Sequence, residues 1–211
     1  MTIEGPPNPH NAPRAKVRPI AMGVDIDGVT FKKAAAWDIP RRATKMGLPL
    51  EEGAREGLAY LGSQPDVHML GLYTVRPKWL REGQTRRQVR RHGLEVPQIV
   101  HTTNSSVEKI ARLLDDAEGA GPGLSGQRIV NHQREQVVLQ DDSVDKVIAA
   151  AEELLRTSPE YEDALSRFTL LAYDPKQRHR VHGTILPGIA HIVSVQSWHN
   201  IDSAMNMVRT F

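Results

Sequence analysis

Two aspartates follow an apolar segment near the N-terminus, in the stretch IAMGVDIDGVTF that covers residues 20–31. One residue separates Asp25 from Asp27, and a glycine comes directly after the second aspartate. A buried strand gains nothing in packing from carboxylates at its end, because ionised groups are costly to bury. The pair therefore indicates chemistry at the end of a strand; the alternative is a simple turn, which Asp-Gly alone often marks.

A second acidic group follows another apolar segment, in QVVLQDDSVDKV, residues 136–147. It contains Asp141, Asp142 and Asp145. Carboxylates that converge on one point repel one another unless a cation lies between them. Oxygen ligands without Cys or His favour a hard cation such as Mg²⁺. Such a site suits phosphoryl transfer, in which the metal neutralises phosphate charge and one carboxylate attacks phosphorus.

Apolar segments of strand type alternate with helical patterns along the chain. The predicted strands cover residues 20–24, 67–74, 97–103, 136–142, 167–174 and 191–198. The predicted helices cover residues 31–47 (weakly, with a break at Pro40), 49–64, 76–94, 105–121, 143–158 and 200–211. This alternation predicts an α/β fold of Rossmann-like, doubly wound type, with a parallel sheet between two layers of helices. Ligands bind at the carboxyl ends of the strands in such sheets, which is where the aspartates lie.

Composition sets the wider limits. The chain has 211 residues, no cysteine and a formal net charge of +2. We expect a proline-rich, disordered arm over residues 1–17 and a single α/β domain over residues 18–211. The absence of cysteine excludes disulfides and thiolate chemistry. Neither a signal peptide nor an apolar run of membrane-spanning length is evident, so the expected location is the cytoplasm.

Four features in order resemble the motifs of the haloacid dehalogenase-like hydrolase superfamily. VDIDGVT looks like its first motif, and LGLYTVRP looks like its second motif, a strand that ends in Thr74. SSVEKIARLL offers Lys109 as the lysine of the third motif, and QVVLQDDSVDKV looks like the fourth. The resemblance covers roughly residues 18–157 and implies a Mg²⁺-dependent phosphatase.

The resemblance also implies a role for each matching residue. Asp25 would be the nucleophile that forms an aspartyl-phosphate, and Asp27 would be the general acid and then the general base. Thr74 would hydrogen-bond a phosphoryl oxygen, and Lys109 would neutralise charge on the nucleophile and the phosphoryl group.

The resemblance implies a metal site as well. Asp25, the backbone carbonyl of Asp27 and Asp142 would bind Mg²⁺, with Asp141 at or beside the ion. The Asp-Asp order favours Asp142, whereas the spacing to Asp145 favours Asp141, and both assignments stay open.

The segment between the first motif and the next helix is short. About twenty residues separate Gly28 from Leu50, fewer than the ~40 that a folded domain usually needs. We therefore expect a minimal cap and an open active site. By the same resemblance, such a site serves a large substrate or is covered by a second subunit. The basic loop 173–188 is either a lid or a solvent-exposed loop.

The segment 76–92 is basic. Its charged residues are Arg76, Lys78, Arg81, Arg86, Arg87, Arg90 and Arg91, with Glu82 as the single acid. Arg76 lies two residues after Thr74 and could bind a substrate phosphate with both ends of its guanidinium group. The other charges indicate either a solvated helix face or a surface for a polyanion.

These features favour a nucleotide or a nucleic-acid terminal phosphate as the substrate. A small phosphorylated metabolite is the first alternative. The second alternative is a non-catalytic binding module that uses the basic helix.

Overall fold

A computed structural model describes residues 18–33, 48–76, 78–103, 105–119, 136–176 and 187–211. Their strands are β1 (Ile20–Asp25), β2 (Val67–Thr74), β3 (Ile99–His101), β4 (Gln136–Asp141), β5 (Phe168–Tyr173) and β6 (His191–Val195). Their α-helices are α1 (Ala54–Ser63), α2 (Lys78–Arg91), α3 (Ser106–Ala117), α4 (Val144–Thr157), α5 (Glu162–Leu165) and α6 (Ile201–Val208). Short 3₁₀ helices cover Pro159–Tyr161 and Trp198–Asn200.

The six strands form one sheet in the order β3-β2-β1-β4-β5-β6, and every pair of neighbours is parallel. β1 lies between β2 and β4, so the carboxyl ends of these three strands meet at the same edge. The predicted doubly wound α/β fold is confirmed. No helix within the described ranges is long and apolar enough to cross a membrane.

Alternate residues of the strands supply the two apolar layers. In β1, Ile20, Met22 and Val24 face one core, which also contains residues of α1 and α6. Ala21 faces the other core, which contains residues of α3 and α4. Because β1 and β4 are buried along their whole length, the sheet holds the strand ends in fixed positions.

The predicted helix starts and stops are mostly confirmed. The Ser105 side chain accepts a hydrogen bond from the Glu108 amide and caps α3. Gly93 adopts a left-handed conformation just after α2, with φ of 61°. α1 begins at Ala54, later than predicted, because Leu50 instead forms a bridge with Phe31. The last strand ends at Val195, earlier than predicted, because a 3₁₀ helix begins at Trp198.

Three predictions lie wholly or partly outside the described residues. They are the disordered arm over 1–17, most of the weak helix over 31–47, and the middle of the loop 173–188.

Candidate functional site

Two buried aspartates and a buried lysine meet at the carboxyl ends of β1 and β4. Asp25 is the last residue of β1, Asp141 is the last residue of β4, and both are at most 5% exposed. Lys109 reaches them from the first turns of α3. Its Nζ donates a hydrogen bond to Asp25 Oδ1 over 2.8 Å and another to Asp141 Oδ2. The Lys109 ammonium group therefore contacts both carboxylates and fixes their relative positions.

A third carboxylate completes an acidic cluster, which consists of Asp25, Asp141 and Asp142. One oxygen from each lies within 4.8 Å of the others, a spacing at which one cation could contact all three. The Ser143 amide donates to Asp141 Oδ1 over 2.7 Å and orients that carboxylate. An all-oxygen, carboxylate-rich ligand set fits a hard divalent cation such as Mg²⁺. Asp145, the other candidate ligand, lies in α4 and is not part of the cluster.

The charges in the cluster change the acidity of its members. The pKa of Asp25 is raised to about 8, mainly by burial; Lys109 opposes this rise, and the charges of Asp141 and Asp27 add to it. Burial alone would lower the pKa of Lys109, but Asp25 and Asp141 outweigh burial and raise it. Lys109 is therefore held as a cation. The three carboxylates of the cluster outnumber the two ammonium groups that contact them, Lys109 and the largely exposed Lys33, so a further cation would be favourable there.

The loop after β1 fits closely around the cluster. The Thr30 hydroxyl donates to the Asp25 carbonyl over 2.8 Å, and the Phe31 amide donates to the Ile26 carbonyl over 2.9 Å. Gly28 lies against Asp142 with φ of 87°, and a Cβ there would come within 2.5 Å of Asp142 Oδ2. Only glycine meets both the conformational and the steric requirement at this position.

Asp27, Thr74 and Arg76 form a second group beside the acidic cluster. Arg76 Nε donates to Asp27 Oδ2 over 2.7 Å, and Arg76 Nη2 donates to Asp27 Oδ1. The Thr74 hydroxyl lies 3.4 Å from Asp27 Oδ2 and accepts a hydrogen bond from the Arg76 amide over 3.1 Å. The guanidinium group that we predicted to bind substrate phosphate is therefore engaged with Asp27.

Two side chains at the site were not predicted from the sequence. Lys33 Nζ lies 2.6 Å from Asp142 Oδ2, although the two residues are 109 positions apart. Thr85 is buried in α2 and lies 3.4 Å from Arg76 Nη1. Neither belongs to a recognisable motif, and the contacts depend on how the loop and α2 pack against the sheet. No local pattern could have indicated them.

The basic segment 76–92 begins at the site with Arg76 and continues into α2. On α2, Arg86, Arg87, Arg90 and Arg91 are exposed. Arg86 pairs with Glu82 one turn earlier, at 2.9 Å. Four arginines therefore lie in two adjacent rows on the outer surface of this helix.

Comparison with known proteins gives a fold and no activity. No model of a known protein family matches the sequence, and no curated protein matches it. The chain is similar to the crystal structure of an uncharacterized protein from Listeria monocytogenes serotype 4b, with a TM-score of 0.56 and 12% sequence identity. The similarity covers 91% of this chain and 99% of that chain. At this identity the similarity supports the α/β architecture alone.

Proposed function

We propose that the protein is a Mg²⁺-dependent phosphomonoester hydrolase of the haloacid dehalogenase-like type, with Asp25 as the nucleophile. The observation that carries the proposal is the position of Lys109, which donates to both Asp25 and Asp141 at the centre of the acidic cluster. A buried lysine that orients a carboxylate at the carboxyl edge of a parallel sheet suits nucleophilic attack on a phosphate.

The chain's own residues account for both half-reactions. An Asp25 oxygen attacks phosphorus, the bond from phosphorus to the leaving oxygen breaks, and protonated Asp27 gives its proton to that oxygen. The alcohol departs and leaves an aspartyl-phosphate. The Asp27 carboxylate then takes a proton from water, whose oxygen attacks phosphorus and regenerates Asp25 with release of phosphate. Lys109 and Thr74 offset charge on the phosphoryl oxygens.

The acidic cluster would hold the metal ion, through Asp25, Asp142 and Asp141, with the Asp27 backbone carbonyl as a further ligand. Bound Mg²⁺ supplies positive charge that offsets the repulsion between a phosphate dianion and these carboxylates.

The exposed arginines of α2 favour a polyanionic substrate, namely a nucleotide or a nucleic-acid terminal phosphate. Arg86, Arg87, Arg90 and Arg91 offer positive charge beyond what one phosphate requires, and Glu82 pairs with Arg86. Contacts of this kind bind phosphates along a strand and weaken as salt rises. A small phosphorylated metabolite has fewer phosphates with which to contact them, so we expect its KM to depend less on salt than that of a nucleic-acid substrate.

The first test is phosphate release from an aryl phosphate, with and without Mg²⁺. We expect Mg²⁺-dependent release that Asp25→Asn abolishes. Asp115→Asn is the matched control, because its carboxylate binds only the Tyr161 hydroxyl among the contacts in the described ranges, at 2.9 Å. Release that persists in Asp25→Asn would refute the proposal.

A binding module with the same fold is the competing function, and the arginine rows of α2 are the observation that favours it. Such a module would bind oligonucleotides and release no phosphate from any of the tested esters. Its melting temperature would rise with polyanions and stay constant with Mg²⁺.

A further inference from the structure

Two of the three nitrogens of the Arg76 guanidinium group, Nε and Nη2, donate to Asp27. Arg76 Nε and Nη2 each donate to a different oxygen of this carboxylate, which is the two-pronged geometry that fixes a carboxylate most firmly. For Arg76 to hold a substrate phosphate in the same way, it would have to leave Asp27. The contact therefore argues against the role that the sequence alone suggested for Arg76.

Arg76 is itself held from three directions. Its amide donates to the Thr74 hydroxyl over 3.1 Å, and its carbonyl accepts a hydrogen bond from His101 Nδ1 over 3.0 Å. Its Nη1 lies 3.4 Å from the buried hydroxyl of Thr85 in α2. The ends of β2 and β3 and one face of α2 thus fix both the backbone and the side chain of this residue.

The exposed fractions of the Arg76 and Asp27 side chains also argue against Arg76 as a phosphate-binding residue. The Arg76 side chain is 13% exposed, whereas the Asp27 side chain is 32% exposed. The guanidinium group therefore lies behind the carboxylate, and the carboxylate keeps an accessible surface toward solvent. A group that donates protons to a leaving oxygen, and later takes one from water, needs such a surface.

We propose that Arg76 is a positioning residue, which orients the Asp27 carboxylate for the half-reaction in which it takes a proton from water. This inference rests on the proposed phosphatase function. The guanidinium group pairs with the ionised carboxylate that the first half-reaction leaves behind. Without it the carboxylate turns freely, water is deprotonated slowly, and the aspartyl-phosphate at Asp25 accumulates.

The test uses Arg76→Gln with an aryl phosphate whose phenolate leaves without protonation. We expect kcat to fall about 10- to 100-fold, the range that follows from misplacing an acid–base group, with no increase in KM. We also expect a burst of one phenolate per enzyme molecule before the slow steady state. Asp27→Asn should give the same burst. Arg76→Lys keeps the positive charge but cannot donate to both oxygens of Asp27 in the same way, so its kcat should lie between those of wild type and Arg76→Gln.

Arg209→Gln is the matched control. Arg209 donates two hydrogen bonds to Asp66 in the same bidentate geometry, over 2.6 and 2.9 Å, but at the opposite end of β2. The eight residues of β2 place the two pairs about 25 Å apart. We expect Arg209→Gln to lower the melting temperature and to leave kcat, KM and the burst as in wild type.

Two outcomes would overturn the inference, and they differ in what they say about the proposed function. A raised KM with unchanged kcat and no burst, in a protein that Asp25→Asn inactivates, would make Arg76 a substrate-binding residue and leave the phosphatase intact. No turnover by the wild type of any phosphomonoester would overturn both. An unfolding double-mutant cycle of Arg76→Gln and Asp27→Asn would then report whether the pair is coupled for structure alone.

Discussion

At the scale of single residues, the site buries charged side chains, which is costly unless each has a partner of opposite charge. Lys109 and Asp25 are both buried, and each is satisfied by the other. A buried ion pair adds little stability compared with apolar residues, but removal of one partner leaves the other uncompensated. The arrangement is therefore better explained by chemistry than by stability.

We expect Lys109→Met to destabilise the protein by about 3 kcal/mol, because Asp25 and Asp141 would then face each other without a cation. Chemical denaturation in a magnesium-free buffer would measure this loss. Added Mg²⁺ should recover part of it, since the three carboxylates of the acidic cluster remain. Lys146→Met, at an exposed position of α4, should change stability by no more than about 0.5 kcal/mol. Equal effects of the two substitutions would contradict the buried ion pair.

Gly28 gives a second test at this scale. We expect Gly28→Ala to cost about 1–2 kcal/mol from its left-handed backbone, and to push Asp142 out of the acidic cluster. The increase in melting temperature with Mg²⁺ should then shrink. Gly93→Ala is the control, since Gly93 is also left-handed but a Cβ there meets nothing within 4 Å. It should lose stability but keep the full response to Mg²⁺.

At the scale of elements, the C-terminal segment fixes the loop that carries Gly28. Trp198 is buried, and its indole Nε1 donates to the Val29 carbonyl over 2.7 Å. The ring also lies against Gly57 of α1, where a Cβ would come within 2.2 Å of it. One tryptophan therefore connects α1, the loop after β1 and the start of α6.

Alanine substitutions at two glycines of α1 distinguish packing against Trp198 from the effect of glycine on helix propensity. We expect Gly57→Ala to destabilise the protein by about 1–3 kcal/mol, because the methyl group overlaps the Trp198 ring. Gly62→Ala, in the same helix, has open space around it and should stabilise by about 0.5–1 kcal/mol. Urea denaturation of both variants checks this; stabilisation by both would mean that the ring does not pack against α1.

Elements are also the level at which the sequence was most informative. Apolar runs with acidic ends located β1 and β4, and the Ser105 cap and Gly93 marked helix ends, because these signals are local. The contacts of Arg76 with Asp27 and of Lys33 with Asp142 were not predictable. They depend on side-chain directions set by residues far away in the chain, and basic residues near carboxylates are common without such contacts.

At the scale of the whole molecule, Arg209 connects the segment after α6 to the residue before β2. Arg209 donates two hydrogen bonds to Asp66 and one to Gln64, the last over 3.2 Å. These bonds join the end of α6 to the turn between α1 and β2. The hydrogen bonds from Arg209 lower the pKa of Asp66 below its usual value.

This pair predicts a specific dependence of stability on pH. Because the folded pKa of Asp66 is depressed, its contribution is fully present above about pH 4, the unfolded value, and is lost as pH falls through the folded pKa. We expect Asp66→Asn to lower the free energy of unfolding by about 1–2 kcal/mol at pH 7. The difference from wild type should shrink as pH falls below about 4. A difference that is constant with pH would exclude the ion pair as its source.

The position of β1 at the centre of the sheet has a consequence for how the chain folds. Lys109 joins Asp25 from 84 residues away in the sequence, and Asp141 arrives only when β4 pairs with β1. Contacts between such distant segments form late, because the intervening chain must first be ordered. Until β4 pairs with β1, Asp25 lacks Asp141 and Asp142 as neighbours. The acidic cluster would thus be among the last features to form during refolding, after most helical structure has returned.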